Sequence, residues 1–202
     1  MQTLDEVAPG IFVWQTYDSR VKADLFSTAL DTSAGTYFVD PIPLDENTLL
    51  NFSAKRTVAG ICVTNVNHAR AAAEFARTFS VPVYVHNELC GNADFPDAVG
   101  MSEGEGIAQG VTGIAIPGGP EGEMALHYNA NEGTMVLGDA LINFEPHGFG
   151  FLPAKYCLNA RMMRRSLGKL LDYSFDHMFF AHGTPILSGA RARVEQLLST
   201  TR

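Results

Sequence analysis

Residues 64–70, Thr64-Asn65-Val66-Asn67-His68-Ala69-Arg70, bring two carboxamides, an imidazole and a guanidinium into one short stretch. Before it stands the apolar run Val58, Ile61, Cys62 and Val63, of strand length. After it comes an alanine-rich segment, 69–79, with Ala72, Phe75, Ala76 and Phe79 at helical spacing. A polar cluster at the carboxyl end of a buried strand is where open α/β sheets place their binding sites. Its chemistry leans away from metal. Asparagine amides are weak, neutral donors that hold zinc poorly, and arginine is a permanent cation that repels it. His68 is the one strong ligand type in the stretch.

The same residues resemble a family motif, the T-H-x-H-x-D-H of the metallo-β-lactamase-fold hydrolases, which also lies between a strand and an alanine- and glycine-rich helix. Thr64 matches. The histidines of the motif fall on Asn65, Asn67 and Arg70, and its aspartate falls on Ala69. A second stretch, 116–141, is similar to the family's P-G-H-T-x-G segment, hairpin and G-D. Pro117, Gly118 and Gly122 match, Gly119 replaces the histidine, and Gly138-Asp139 stand where the metal-bridging aspartate belongs. His182-Gly183, after the apolar Met178, Phe179 and Phe180, falls where the family has its last metal-binding histidine.

This resemblance covers nearly the whole chain. It implies an α/β (α+β) fold, a four-layer αββα sandwich, in one metallo-β-lactamase-like domain over 1–202. In the family that fold carries two metals and a water made nucleophilic at neutral pH. Here Asp139 and His182 alone remain of the implied ligands, and a zinc hydrolase needs at least three around one metal.

The expectation is therefore a metal-free protein without a cofactor, non-catalytic or weakly catalytic, that binds a small molecule or a protein. Its relic pocket comprises Asn65, Asn67, His68, Arg70, Gly119, Asp139 and His182. The alternative is an active hydrolase of an ester, thioester or lactone. It would use one zinc or other divalent metal at Asp139 and His182, with His68 or His86 as a further ligand. An interaction scaffold is the third class, since sites and not folds carry function. No G-x-S-x-G elbow offers a serine nucleophile.

Without metal, Asp139 becomes a poorly solvated carboxylate, which is costly unless compensated. Arg70 is expected to fill the vacated position and pair with it, with Asn65, Asn67 and His182 completing the hydrogen bonds. The other reading has Arg70 begin a helix and point to solvent. Asp40, before Pro41, is either a residue beneath the site or a plain turn aspartate. His147 is either at the mouth of a pocket or an exposed loop histidine.

Composition narrows the rest. The chain has 202 residues, 46% of them hydrophobic, and a net charge of -8. It is long enough to bury a full core. No Lys/Arg-rich segment offers a nucleic acid its electrostatic footprint. The start, MQTLDEVAPG, lacks the basic and apolar regions of a leader, and no apolar run has the length of a membrane span. Cys62, Cys90 and Cys157 are odd in number, widely spaced and without a C-x-x-C pair. A cytoplasmic location follows as the expectation.

The elements that must position these groups read as follows. Strands are expected at 10–17, 24–30 and 37–39, the first two as a hairpin. A surface helix follows at 45–55, then the strand, turn and helix around residues 64–70, and another strand at 81–85. Residues 92–110 read as loop, 111–116 as a strand, and 124–128 with 134–137 as a hairpin. Residues 142–156 read as an aromatic loop, 159–173 as a helix with Asn159 at its N-cap, 178–180 as a strand, and 190–198 as a closing helix.

Overall fold

The computed structural model describes residues 3–144 and 148–200. Strands β1 (Asp5–Ala8), β2 (Ile11–Asp18), β3 (Ala23–Thr32) and β4 (Gly35–Val39) open the chain. Helix α1 (Glu46–Ser53), β5 (Val58–Cys62), α2 (Ala72–Phe79), β6 (Val83–His86) and β7 (Val99–Met101) follow. These strands form a seven-stranded sheet in chain order, antiparallel from β1 to β4 and parallel from β4 to β7.

The second sheet comes from β8 (Gly106–Ala108), β9 (Val111–Ala115), β10 (Met124–Tyr128) and β11 (Thr134–Leu137). After the small hairpin β12 (Leu141–Phe144) and β13 (Gly148–Phe151) and helix α3 (Ala160–Ser166), β14 (His177–Phe180) joins it parallel to β11. Helix α4 (Ala190–Ser199) closes the chain.

Strand alternation sorts the side chains into three apolar layers. Phe38 of β4 packs with Trp14, Phe52, Ile61 and Phe75 beneath α1 and α2, while its neighbours Tyr37 and Val39 turn to the other face. There they meet Leu126, Val136 and Phe179 of the second sheet. The outer face of that sheet, with Met135, Leu137 and Phe180, is covered by Met163 of α3 and Val194 of α4. Helix, sheet, sheet and helix are thus stacked as the family resemblance implied.

Four strand ends bring the site together. β4 and β5 run parallel, and so do β11 and β14, so Asp40, the 64–70 turn, Asp139 and His182 all emerge at carboxyl ends. Backbone bonds lock the sheets at this edge: Phe26 N donates to Ala181 O at 3.0 Å, and Met124 N to Thr64 O at 2.8 Å.

Several local expectations need correction. The 92–110 segment contains β7 and β8, and residues 142–156 contain the β12/β13 hairpin, because glycine-rich stretches pair through backbone groups that hydrophobic periodicity does not report. β1 was not foreseen. The helix at 69–79 starts at Ala72, after a separate turn of 3₁₀ helix. Residues 159–173 divide into α3, capped by Asn159 as expected, and a 3₁₀ run from Leu167 to Asp172. No helix among the described residues is long and apolar enough to cross a membrane.

Candidate functional site

The turn after β5 is built by its first polar residues. Asn65 is extended, and its side-chain oxygen accepts from Asn67 N at 2.9 Å, capping a single 3₁₀ turn over Val66–His68. In a 3₁₀ turn, side chains three apart eclipse. Asn65 and His68 therefore both face inward and are fully buried, while Asn67 faces solvent. Asn67 is thus outside the pocket assigned to it.

Asp40 fixes His68. It terminates β4 in the left-handed region, φ 48°, and its carboxylate reaches across to the turn. Oδ1 accepts from Thr64 N at 2.8 Å, and Oδ2 accepts from Thr64 Oγ1 at 2.6 Å and from the His68 Nδ1–H at 2.9 Å. With Nδ1 held by a carboxylate, Nε2 is aimed into the centre. Of the two readings of Asp40, the structure has the one beneath the site.

His68 Nε2 lies 3.3 Å from Asp139 Oδ1, and His182 Nε2 lies 3.3 Å from the same oxygen. The three donor atoms all fall within 4.8 Å of one another. His68 Nε2 meets Asp139 Oδ1 within ion-pair reach but not as a well-directed hydrogen bond. A buried nitrogen facing a carboxylate without a bond leaves a place for a positive charge, either a proton on the ring or a cation between the groups.

The electrostatics follow from that packing. Burial works against charge on His68, but Asp40 and then Asp139 outweigh it and raise the imidazole to about 9. Burial likewise opposes ionisation of Asp139, yet the charges of His68, His182 and Arg70 hold its carboxyl below the ordinary range. His182 goes the other way: burial pushes it down to about 4 despite Asp139.

Arg70 does not pair with Asp139. Its guanidinium donates from Nη1 to Phe26 O at 2.9 Å and to Asp40 O at 3.2 Å, and from Nη2 to Ala181 O at 3.4 Å. Nη2 also stands 3.4 Å from His182 Nε2. The backbone at Arg70 is left-handed, φ 35°, which turns the side chain back between the sheets instead of along the helix that follows. Main-chain carbonyls of both sheets claimed the guanidinium, and His68 and His182 claimed Asp139.

Glu123 was not foreseen. It is 3% exposed and enters beside Asn65, whose Nδ2 donates to Glu123 Oε2 at 2.6 Å and to Asp139 Oδ2 at 3.2 Å. Ala140 N donates to Oε1 at 2.8 Å. Burial, then the charge of Asp139, pushes its carboxyl up to about 8. Gly119 makes room for it: a Cβ there would stand 2.7 Å from Glu123 Cγ. A charged residue directly before the apolar β10 was the available signal. His86 lies apart from the cluster, its Nδ1 accepting from Glu88 N at 3.3 Å. His147 lies outside the described residues.

The cysteines take no part in this centre. Cys62 is buried among apolar side chains, and burial pushes its thiol up. Cys90 is exposed.

Comparison with known proteins bears on the whole chain. Residues 1–200 match the sequence model described as metallo-beta-lactamase superfamily. The fold is similar to that of DIM-1 metallo-beta-lactamase, at TM-score 0.78 and 15% identity, covering 100% of this chain and 98% of the other. It is similar to a metallo-beta-lactamase from Pontibacter korlensis, at TM-score 0.76 and 12% identity over 100% of both chains. TTHA1623, solved in a di-iron-bound form, gives TM-score 0.64 and 19% identity, covering 89% of this chain and 97% of that one. At these identities the structural likeness speaks for fold alone. No curated protein sequence matched.

Proposed function

Since the chain belongs to the metallo-beta-lactamase superfamily, we propose that it is a hydrolase-type protein whose centre takes a single divalent cation at His68, Asp139 and His182. The observation that carries this reading is the donor set itself. Its two nitrogens stand 3.3 Å from the shared oxygen, and ligands at zinc-type bond lengths around a tetrahedral ion are about 3.3 Å apart. The orphaned, buried His68 Nε2, with Nδ1 anchored on Asp40, is the pattern of an oriented ligand histidine.

A cation held there supplies Lewis acidity toward the carbonyl of an ester, thioester or lactone. The chain does the remainder. Asp40 keeps the His68 tautomer, and Asn65 bridges Glu123 and Asp139 and orients the carboxylate. Glu123 keeps a proton close to that bridge at neutral pH.

A second reading rests on Arg70. A guanidinium 3.4 Å from His182 Nε2 already puts one positive charge beside the cluster, and a protonated His68 between Asp40 and Asp139 supplies another. The protein is then a metal-free binder of a small molecule or protein. Elemental analysis of protein purified without chelator separates the two. About one equivalent of divalent metal in the wild type and none in His68→Ala or Asp139→Ala, together with chelator-sensitive turnover of activated esters or lactones, supports the cation site. Metal-free wild type after incubation with zinc or manganese overturns it.

A further inference from the structure

The segment 155–165, which ends in α3, carries an exposed surface that the His68 cluster does not use. It is fixed to the body of the protein: Leu158 N donates to Gly119 O at 3.2 Å, Asn159 N to Gly118 O at 2.9 Å, and Ser166 Oγ to Pro117 O at 3.0 Å. Met163, and Leu167 just after α3, are fully buried on its inner side. What faces outward is mixed. Leu158, Arg161, Met162 and Arg165 follow the i, i+3, i+4, i+7 spacing of one helical face, and all four are exposed. Leu158 is 73% exposed, Met162 48%, and Tyr156 just before them 59%. Three of the eight large hydrophobic side chains exposed among the described residues thus fall within 156–162, a concentration that marks an interaction surface where single exposed residues would not.

The charge there has one sign. Residues 148–171 hold five basic side chains and no acidic one, in a chain whose net charge is -8. Two of the five are engaged: Lys169 pairs with Glu103 at 2.9 Å, and the Arg164 guanidinium lies 5.0 Å from the centre of the Phe151 ring. Lys155, Arg161 and Arg165 are left for a partner, since the arginines in ion pairs among the described residues are Arg20, Arg56 and Arg191. Charges further off than about 8 Å are largely screened at physiological salt, so the acidic surface elsewhere does not cancel this patch at contact.

An exposed stripe in which apolar and basic side chains alternate matches the boundary of an anionic bilayer. Leucine and methionine enter the headgroup layer, tyrosine lies at the interface, and lysine and arginine reach the phosphates. A protein groove that encloses a basic amphipathic helix does not suit α3, because its other face is already buried. We propose that segment 155–165 docks the protein reversibly on an anionic lipid surface, with Leu158 and Met162 inserted and Lys155, Arg161 and Arg165 on the lipid phosphates. The docking holds with or without a cation at His68, Asp139 and His182.

The test is co-sedimentation in chelator with vesicles of phosphatidylcholine alone and with about 30% phosphatidylserine. Binding to the anionic vesicles is expected to be roughly tenfold or more tighter, since each basic side chain near an anionic leaflet contributes about fivefold, and to weaken as salt rises from about 0.1 M. The pair Arg161→Gln and Arg165→Gln, at exposed positions, is expected to remove most of that preference. The pair Leu158→Ser and Met162→Ser, also exposed, is expected to weaken binding several-fold while the salt dependence stays. Soluble polyglutamate is the probe for an acidic protein partner. Equal binding to both vesicles, no binding to the anionic ones, undiminished binding in the serine pair, or binding to polyglutamate without binding to vesicles overturns the proposal. The chelator keeps the outcome separate from that of the metal analysis.

Discussion

Replacing Arg70 by alanine tests whether its guanidinium ties the two sheets together at the site. The side chain bonds to the carbonyls of Phe26 and Asp40 in the first sheet and of Ala181 after β14 in the second. A bond from a charged donor contributes about 1.5–3 kcal/mol. The full sum is not lost. Asp40 O keeps Ser27 Oγ at 2.6 Å, Ala181 O keeps Phe26 N at 3.0 Å, and removing the guanidinium also removes its own burial cost. The 3.4 Å contact is the weakest of the three. A loss of about 2–4 kcal/mol is expected, which for a chain of this length lowers Tm by roughly 5–15 °C. Arg70→Gly is a control with an opposite term: at φ 35° a glycine relieves about 1 kcal/mol of backbone strain that alanine retains. The glycine variant is thus expected to be the more stable of the two, against the usual order. Urea and thermal unfolding of both variants measure this. A loss under about 1 kcal/mol in Arg70→Ala, or alanine above glycine, refutes the sheet-tying account.

Glu123 predicts a pH dependence of the metal-free protein. Its carboxyl is raised from 4.5 to about 8, first by burial and then by Asp139, so the folded state holds a proton that the unfolded chain has released. Its contribution is complete below 4.5 and is lost as pH rises through 8, so urea midpoints taken in chelator should fall between pH 5 and 8.5, and less so in Glu123→Ala. Gly119→Ala forces a Cβ to within 2.7 Å of Glu123 Cγ and 2.8 Å of its Cβ. A loss of about 1–3 kcal/mol is expected, recovered in large part by adding Glu123→Ala; strict additivity in a double-mutant cycle denies that the two positions share space.

The four layers followed from the family resemblance, whereas alternation and helical spacing marked single strands and helices and their buried residues. Phe38 between Tyr37 and Val39, and Phe75 on α2, place their neighbours on opposite faces without any knowledge of the partner. What periodicity does not report is backbone pairing in short or glycine-rich strands, hence β1, β7, β8 and the β12/β13 hairpin. The positions of Asp139 and His182 followed from the family resemblance. The aim of His68 did not, because that depends on whether residues 66–68 form a 3₁₀ turn, and the turn is set by one side-chain bond from Asn65.

The substitutions at the centre make sense as a set. Asn65, where the resemblance puts a histidine, carries two donors on its nitrogen, and both are used, on Glu123 and Asp139. Gly119, where it puts another, gives up its side-chain space, and Glu123 occupies it. Gly138 is small for the same reason, since a Cβ there would stand 2.5 Å from Thr64 Oγ1 and 2.9 Å from Glu123 Oε1. Arg70, at the position of a third, satisfies three main-chain carbonyls. Random loss of ligands would leave donors and acceptors unmatched in a buried polar centre, at a cost of about 1–3 kcal/mol each. Here Asn65 and Arg70 find partners and Gly119 makes room for Glu123, while the unmatched atom in the cluster is His68 Nε2, which points at Asp139. An imidazole held in place by Asp40 and left with its inner nitrogen free is what a rebuilt ligand set requires, and it is why the single-cation reading is preferred to simple decay.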